Sequence, residues 1–290
     1  MRRSRTRWAL TAVAPLLPIL AACGSADDGD TAPVVPVGSC AAFALDYVAT
    51  QKLSMPELEQ TGWRIAAAAA GDTEIRVLLE QRAVDVTELP KLVRYDMLTK
   101  ERLGEIRVAL ATDSCPLLGL TMSPGAWVVL SGCSGTSGQT QTVDSVAEDG
   151  STGLLFSVIE PRAVRLAFDE DDGQYWIWSF DGVFSASAAD VPVFAAAGLE
   201  PLGWGPTSGF DHVGSTLVFA RDASEAGMSN MLALQSDTGG ERCKFEIENA
   251  PGLGGQKGVL AFGDASALWA LSPRGDLAEF RLSVAFAPGN

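Results

Sequence analysis

The sequence predicts an all-β chain assembled from repeated antiparallel strand pairs. Three observations predict it. Short apolar runs recur along residues 40–288, each broken by Gly, Pro, Asp or Ser. Two of the breaks, Asp181-Gly182 and Ser123-Pro124-Gly125, carry the residues that a tight turn demands. Hydrophobic residues make up 47% of the 290, enough for a sizeable core and too many for a disordered chain.

The first element precedes that fold. Arg2, Arg3, Arg5 and Arg7 stand before an apolar stretch from Trp8 to Leu20, followed by Ala21 and Ala22, which is the layout of a secretory signal peptide over residues 1–22. Pro15 and Pro18 interrupt the stretch, and a spanning helix needs about 20 apolar residues. The ending Leu20-Ala21-Ala22-Cys23 resembles a bacterial lipobox. That resemblance implies a lipid on Cys23 and a chain held to a membrane in the cell envelope, outside the cytoplasm. Cleavage after Ala22 would take four arginines away and leave 17 basic against 36 acidic side chains, a net charge of −19. Such a surface repels phosphate backbones, which argues against nucleic acid and leaves a protein, peptide or glycan as ligand. Residues 23–39 read as the lipidated cysteine and a tether, small and acidic from Gly24 to Asp30, then extended around Pro33 and Pro36. Residues 40–290 form the expected folded domain.

Within it, residues 43–53 read as an outer strand. Residues 65–70 and 75–79 flank a turn at Gly71-Asp72-Thr73, and residues 92–107 read as an outer strand pair. Residues 120–123 and 126–131 flank the Ser-Pro-Gly turn. Residues 154–159 and 163–168 read as a hairpin about Glu160-Pro161-Arg162, and 175–179 and 183–185 as one about Asp181-Gly182. Residues 202–209 followed by 215–221 read as the strand–turn–strand unit with an insertion. The chain closes with 259–262, 268–271 and 277–282, joined by Gly/Asp turns.

This recurrence of strand, Ser-Pro-Gly turn and strand resembles β-propeller blades of the WD-repeat and TolB-like type. Asp is missing from the Ser-Pro-Gly turn, and no Trp-Asp dipeptide ends a blade. At about 40–45 residues per blade, the resemblance implies five to six blades. The chain starts on outer strands and ends on inner ones, so the N-terminal strand would complete the last blade and close the ring. A β-sandwich is one alternative. Another is a helical N-terminal half on a β C-terminal half, because residues 55–108 are rich in Ala, Leu and Glu.

Besides Cys23 there are four cysteines, which allow three pairings in an exported chain. Cys115–Cys133 is favoured because a hairpin lies between them, which leaves Cys40–Cys243 as a long-range staple worth roughly 4 kcal/mol. The chain holds no Cys-x-x-Cys pair and one histidine, His212, so a structural zinc site has little support.

No catalytic residue is assigned. There is no Gly-x-Ser-x-Gly elbow. Asp211 is badly placed to orient His212, because neighbours on a strand point to opposite faces, and His212 reads as a loop residue. Asp169, Asp171 and Asp172 cluster on a tight turn and are the candidate for a structural calcium ion, although their spacing departs from the alternating EF-hand pattern. Arg274-Gly275-Asp276 reads as a polar turn. Trp127, Trp176, Trp178 and Trp269 read as packing residues, and Trp204 lies near a turn.

The function expected is a non-enzymatic binding or assembly scaffold. The propeller resemblance also implies an alternative, a glycosidase-like enzyme using Asp and Glu in the channel. Two or three carboxylates in one deep pocket would favour the enzyme, whereas an apolar, plugged channel would favour the binder.

Overall fold

The computed structural model describes residues 34–82, 88–110, 116–135, 138–159, 163–187, 194–197, 199, 209–221, 229–247, 250, 253, 258–264 and 267–284. The strands are β1 (Val35–Pro36), β2 (Phe43–Lys52), β3 (Trp63–Ala70), β4 (Glu74–Gln81), β5 (Lys91–Asp96), β6 (Arg102–Arg107), β7 (Leu117–Ser123), β8 (Ala126–Gly135), β9 (Gly138–Val146) and β10 (Thr152–Val158). They continue as β11 (Ala163–Asp169), β12 (Gln174–Ser179), β13 (Gly182–Ser187), β14 (Phe194–Ala196), β15 (Phe210–Val213), β16 (Thr216–Arg221), β17 (Met231–Ser236), β18 (Arg242–Glu246), β19 (Leu260–Gly263), β20 (Leu268–Leu271) and β21 (Asp276–Val284).

These strands form five antiparallel sheets, the blades of a five-bladed β-propeller. Blade one is β3 to β6, blade two β7 to β10 and blade three β11 to β14. Blade four is β15 to β18 with β1 on its outer edge, and blade five is β19 to β21 completed by β2. The innermost strands β3, β7, β11, β15 and β19 contact one another in turn around a closed ring. The N-terminal strand therefore closes the last blade as the sequence order implied, pairing Phe43 with Val284 through to Lys52 with Asp276.

The core lies between the blades. The second strand of each blade is buried on both faces, and alternate residues serve opposite neighbours. Trp176 and Trp178 pack towards blade four, whereas Tyr175 and Ile177 pack towards blade two. Leu217 and Phe219 face blade three, and Val218 faces blade five. Trp127 joins blades one and two, and Trp269 joins blades five and one. These four tryptophans are the packing residues expected of them. Trp204 lies outside the described residues.

The inner strands converge on a narrow axis and use small residues where they cross. A Cβ on Gly209 would come within 3.0 Å of three backbone atoms of Ala261, and one on Gly119 would stand 3.1 Å from the Leu166 amide nitrogen. Neither position has room for a side chain without moving a neighbouring blade.

Several expectations are corrected. Residues 55–108 are not helical; the described part is β apart from one 3-10 turn at Pro56–Glu59. The Ala-rich stretch is an inner strand, and the Leu-rich run of β4 is buried on both faces, so burial overrides helix propensity. The β-sandwich is replaced by five separate sheets. Residues 154–168 do not form a hairpin: β10 pairs with β9 and β11 with β12, so the break at 160–162 falls between blades. The inner strand of blade four is β15 (Phe210–Val213); residues 202–208, expected as the first strand of that unit, lie outside the described residues.

Two features secure the N-terminal side. Within the stretch expected as tether, Val34 is buried and Val35–Pro36 pairs with β18. Cys40 is disulfide-bonded to Cys243, 203 residues away, with Cα atoms 5.3 Å apart. Cys23, Cys115 and the side chain of Cys133 lie outside the described residues.

Candidate functional site

All five inner strands run in the same direction, so their ends gather into two mouths. At the mouth formed by their C-terminal ends is a cavity of about 350 Å3. Every inner strand contributes to it: Ala70 from β3, Thr121 and Met122 from β7, Phe168 and Asp169 from β11, Asp211 to Val213 from β15, and Gly263 from β19. Among the described residues its lining holds six carboxylates, Asp72, Asp169, Glu170, Asp171, Asp211 and Asp264, and no lysine or arginine.

The opposite mouth, at the N-terminal ends, holds a cavity of about 340 Å3 lined in part by Arg64, Arg82 and Arg165. Buried Glu80 answers two of these cations, pairing with Arg64 and, at 3.1 Å, with Arg82. Between the mouths the channel narrows to about 10 Å3, lined mainly by Ala66 to Ala68, Leu118 to Leu120, Phe210 and Ala261. That is room for about one water molecule. The channel is thus acidic at one end, basic at the other and apolar between.

Two groups of side chains in the acidic mouth have defined geometry. The Asp211 carboxylate accepts the Gly263 amide at 2.9 Å on one oxygen and the His212 amide at 2.9 Å on the other. It thereby clasps β15 to β19. Burial pushes its carboxyl up to about 7, and the two amide donors only partly offset that.

The second group centres on His212. Its Nε2 lies 3.0 Å from Oδ2 of Asp237 and 3.7 Å from Oδ2 of Asp169, and all three donor atoms fall within 4.8 Å of one another. The three side chains are 3%, 16% and 5% exposed. The Trp176 ring stacks on the imidazole with 6.0 Å between centroids and 9° between planes, which fixes the plane of the ring. Such a set can hold a divalent cation or pair a protonated imidazole with carboxylates.

The three aspartates that the sequence grouped lie together at the β11–β12 turn but differ in burial. Asp169 ends β11 and is buried, and its Oδ1 accepts the amides of Asp171 at 3.0 Å and Asp172 at 3.2 Å. Asp171 and Asp172 are exposed on the turn. His212 is a strand residue rather than a loop residue, and Asp211 points away from its ring, as strand alternation requires. Arg274-Gly275-Asp276 forms a turn, with Gly275 at φ 85° and Asp276 bonded to the Ser272 hydroxyl. Asp72, Asp237 and Asp264 were not anticipated. A signal for two of them was present. Gly71-Asp72, Phe168-Asp169, Phe210-Asp211 and Gly263-Asp264 place an aspartate in or just beyond four inner strands.

No protein-family model matches the chain, and no curated protein matches it. Among solved structures, it is similar to the β-propeller domain of Cps50 (Swd1) from Myceliophteria thermophila, with 8% identity, a TM-score of 0.41, and 76% of this chain and 84% of that one covered. It is similar to virginiamycin B lyase from Staphylococcus aureus, with 11% identity, a TM-score of 0.41, and 82% and 99% covered. It is also similar to BamB from Moraxella catarrhalis, with 13% identity and a TM-score of 0.36, covering 74% of this chain and 58% of that one. These likenesses carry nothing about chemistry.

Proposed function

We propose that this chain is an envelope lipoprotein, anchored through Cys23 outside the cytoplasmic membrane, whose propeller binds a basic segment of a protein partner in its acidic mouth. The observation that carries the reading is the charge of that mouth. Among the described residues, six carboxylates and no lysine or arginine line one cavity. Opposed charge at a concave site speeds encounter and selects a cationic occupant. The apolar constriction makes the cavity a dead-ended bowl, which suits an inserted side chain or loop rather than a through-going substrate.

The glycosidase-like alternative has less support. It needs carboxylates presented to a sugar at a defined separation. Asp211, the carboxyl held in the range of a general acid, is buried with both oxygens occupied by backbone amides.

The test is affinity capture from solubilised envelopes, using the mature protein and an Asp72→Asn/Glu170→Gln/Asp171→Asn variant as baits. A stoichiometric partner that the wild type retains, and that the variant and high salt release, supports the reading. A partner held equally by both baits, or none, overturns it. The anchor is tested separately: Cys23→Ala is expected to move the protein from the membrane to the soluble fraction.

A further inference from the structure

We propose that Asp169, His212 and Asp237 form a binding site for one divalent first-row transition ion of the manganese or zinc kind, at the rim of the acidic mouth. The three ligands come from separate parts of the ring: the end of β11 in blade three, the middle of β15, and the turn after β17 in blade four. The fold gathers them; nothing in their sequence spacing does.

Distances fit first. Ligand atoms about 2.1 Å from a shared ion stand about 3.0 Å apart at right angles and about 4.2 Å apart when opposite. The imidazole nitrogen stands 3.0 Å and 3.7 Å from its two carboxylate oxygens, inside that range, and all three atoms lie within 4.8 Å, which a small side-chain shift closes around one ion.

Charge is the second argument. Two carboxylates share a nearly closed space, with side chains 5% and 16% exposed, and no lysine or arginine among the described residues pairs with either. Buried like charges are costly unless a cation offsets them. An imidazolium would supply one positive charge against two negative ones. A divalent ion with a neutral imidazole balances both.

An independent observation concerns Asp169 alone. Its Oδ1 holds two backbone amides, whereas Oδ2 has no hydrogen-bond donor among the described residues and lies 3.7 Å from His212 Nε2. The single hydrogen that Nε2 can carry suits Asp237 at 3.0 Å. Asp169 lines the cavity, so this oxygen is placed to ligate an ion that enters from the mouth.

Ligand type gives the class of metal. Calcium and magnesium take oxygen, and an imidazole nitrogen shifts preference towards manganese and zinc. Asp169 and His212 both line the cavity, so a bound ion is reachable from the mouth.

The test is a titration of the EDTA-treated full protein with Mn2+, following the free ion by electron paramagnetic resonance, and with Zn2+ by calorimetry. One ion per chain is expected. His212→Gln and Asp237→Asn should each weaken binding at least tenfold, and equal Ca2+ should not compete. No binding up to millimolar Mn2+ and Zn2+, or equal binding by wild type and the double variant, overturns the proposal. Should a variant fail to fold, Mn2+ broadening of wild-type NMR signals decides. Broadening centred on Trp176 and His212 upholds the site, and broadening confined to Asp171 and Asp172 overturns it. Because Asp72, Glu170 and Asp171 are not ligands here, partner capture and metal binding can fail independently.

Discussion

Asp211 illustrates how a single side chain can serve architecture in the middle of a binding surface. It lines the acidic cavity, yet both its oxygens accept amides, one of them from the next blade. A buried donor left unpaired costs about 1–3 kcal/mol. Asp211→Ala orphans two and is expected to destabilise the protein by roughly 2–4 kcal/mol, with Asp211→Asn, which keeps one acceptor, losing about half as much. Urea unfolding midpoints check both values. At this scale the sequence was only partly legible. Strand alternation correctly turned Asp211 away from the His212 ring, but no local pattern names Asp169 and Asp237 as the neighbours of His212, because one comes from the adjacent blade and the other from a turn two strands on in the same blade.

The element that best shows electrostatics supporting structure is the 3-10 turn Pro56–Glu59 between β2 and β3. Its Glu57 is buried, pairs with both terminal nitrogens of Arg102 at 3.1 and 2.7 Å, and lies 3.5 Å from Lys91. Burial raises the Glu57 carboxyl, but the Arg102 hydrogen bonds and the nearby positive charges outweigh it and hold the group at about 2, against the ordinary 4.5. A carboxyl depressed in the folded state binds its proton more readily when unfolded. Its stabilisation is therefore complete above about pH 4.5 and lost as pH falls towards about 2. Glu57→Gln is expected to cost on the order of 2 kcal/mol at pH 7 and to flatten the acid limb of a stability–pH curve measured by thermal unfolding. Elements were the most legible scale. The pairs β3–β4, β5–β6, β12–β13 and β20–β21 stand where turn residues placed them. The 154–168 pair failed because a turn inside a blade and a crossing between blades use the same residues, here Glu160-Pro161-Arg162.

For the whole molecule, the decisive features are ring closure and the Cys40–Cys243 bond. The order of outer strands first and inner strands last was readable in the sequence. The number five was not, because irregular insertions blur the repeat length. The disulfide closes a loop of 203 residues, and such a cross-link typically contributes about 2–5 kcal/mol. Cys243→Ser is expected to lower the midpoint of chemical unfolding by an equivalent amount, and reduction of the wild type should reproduce the shift. A wild type that reduction leaves unchanged would show that β2 alone holds the ring.

The placement of that disulfide also decides where a mechanical load goes. Tension arriving from the N-terminal side first strips the two residues of β1 from the edge of β18. It then reaches Cys40, before any hydrogen bond of β2 is stretched. The covalent link diverts the pull sideways into blade four, so the closing strand in blade five carries none of it. A ring whose seam would otherwise unzip from its free end is thus clamped ahead of the seam.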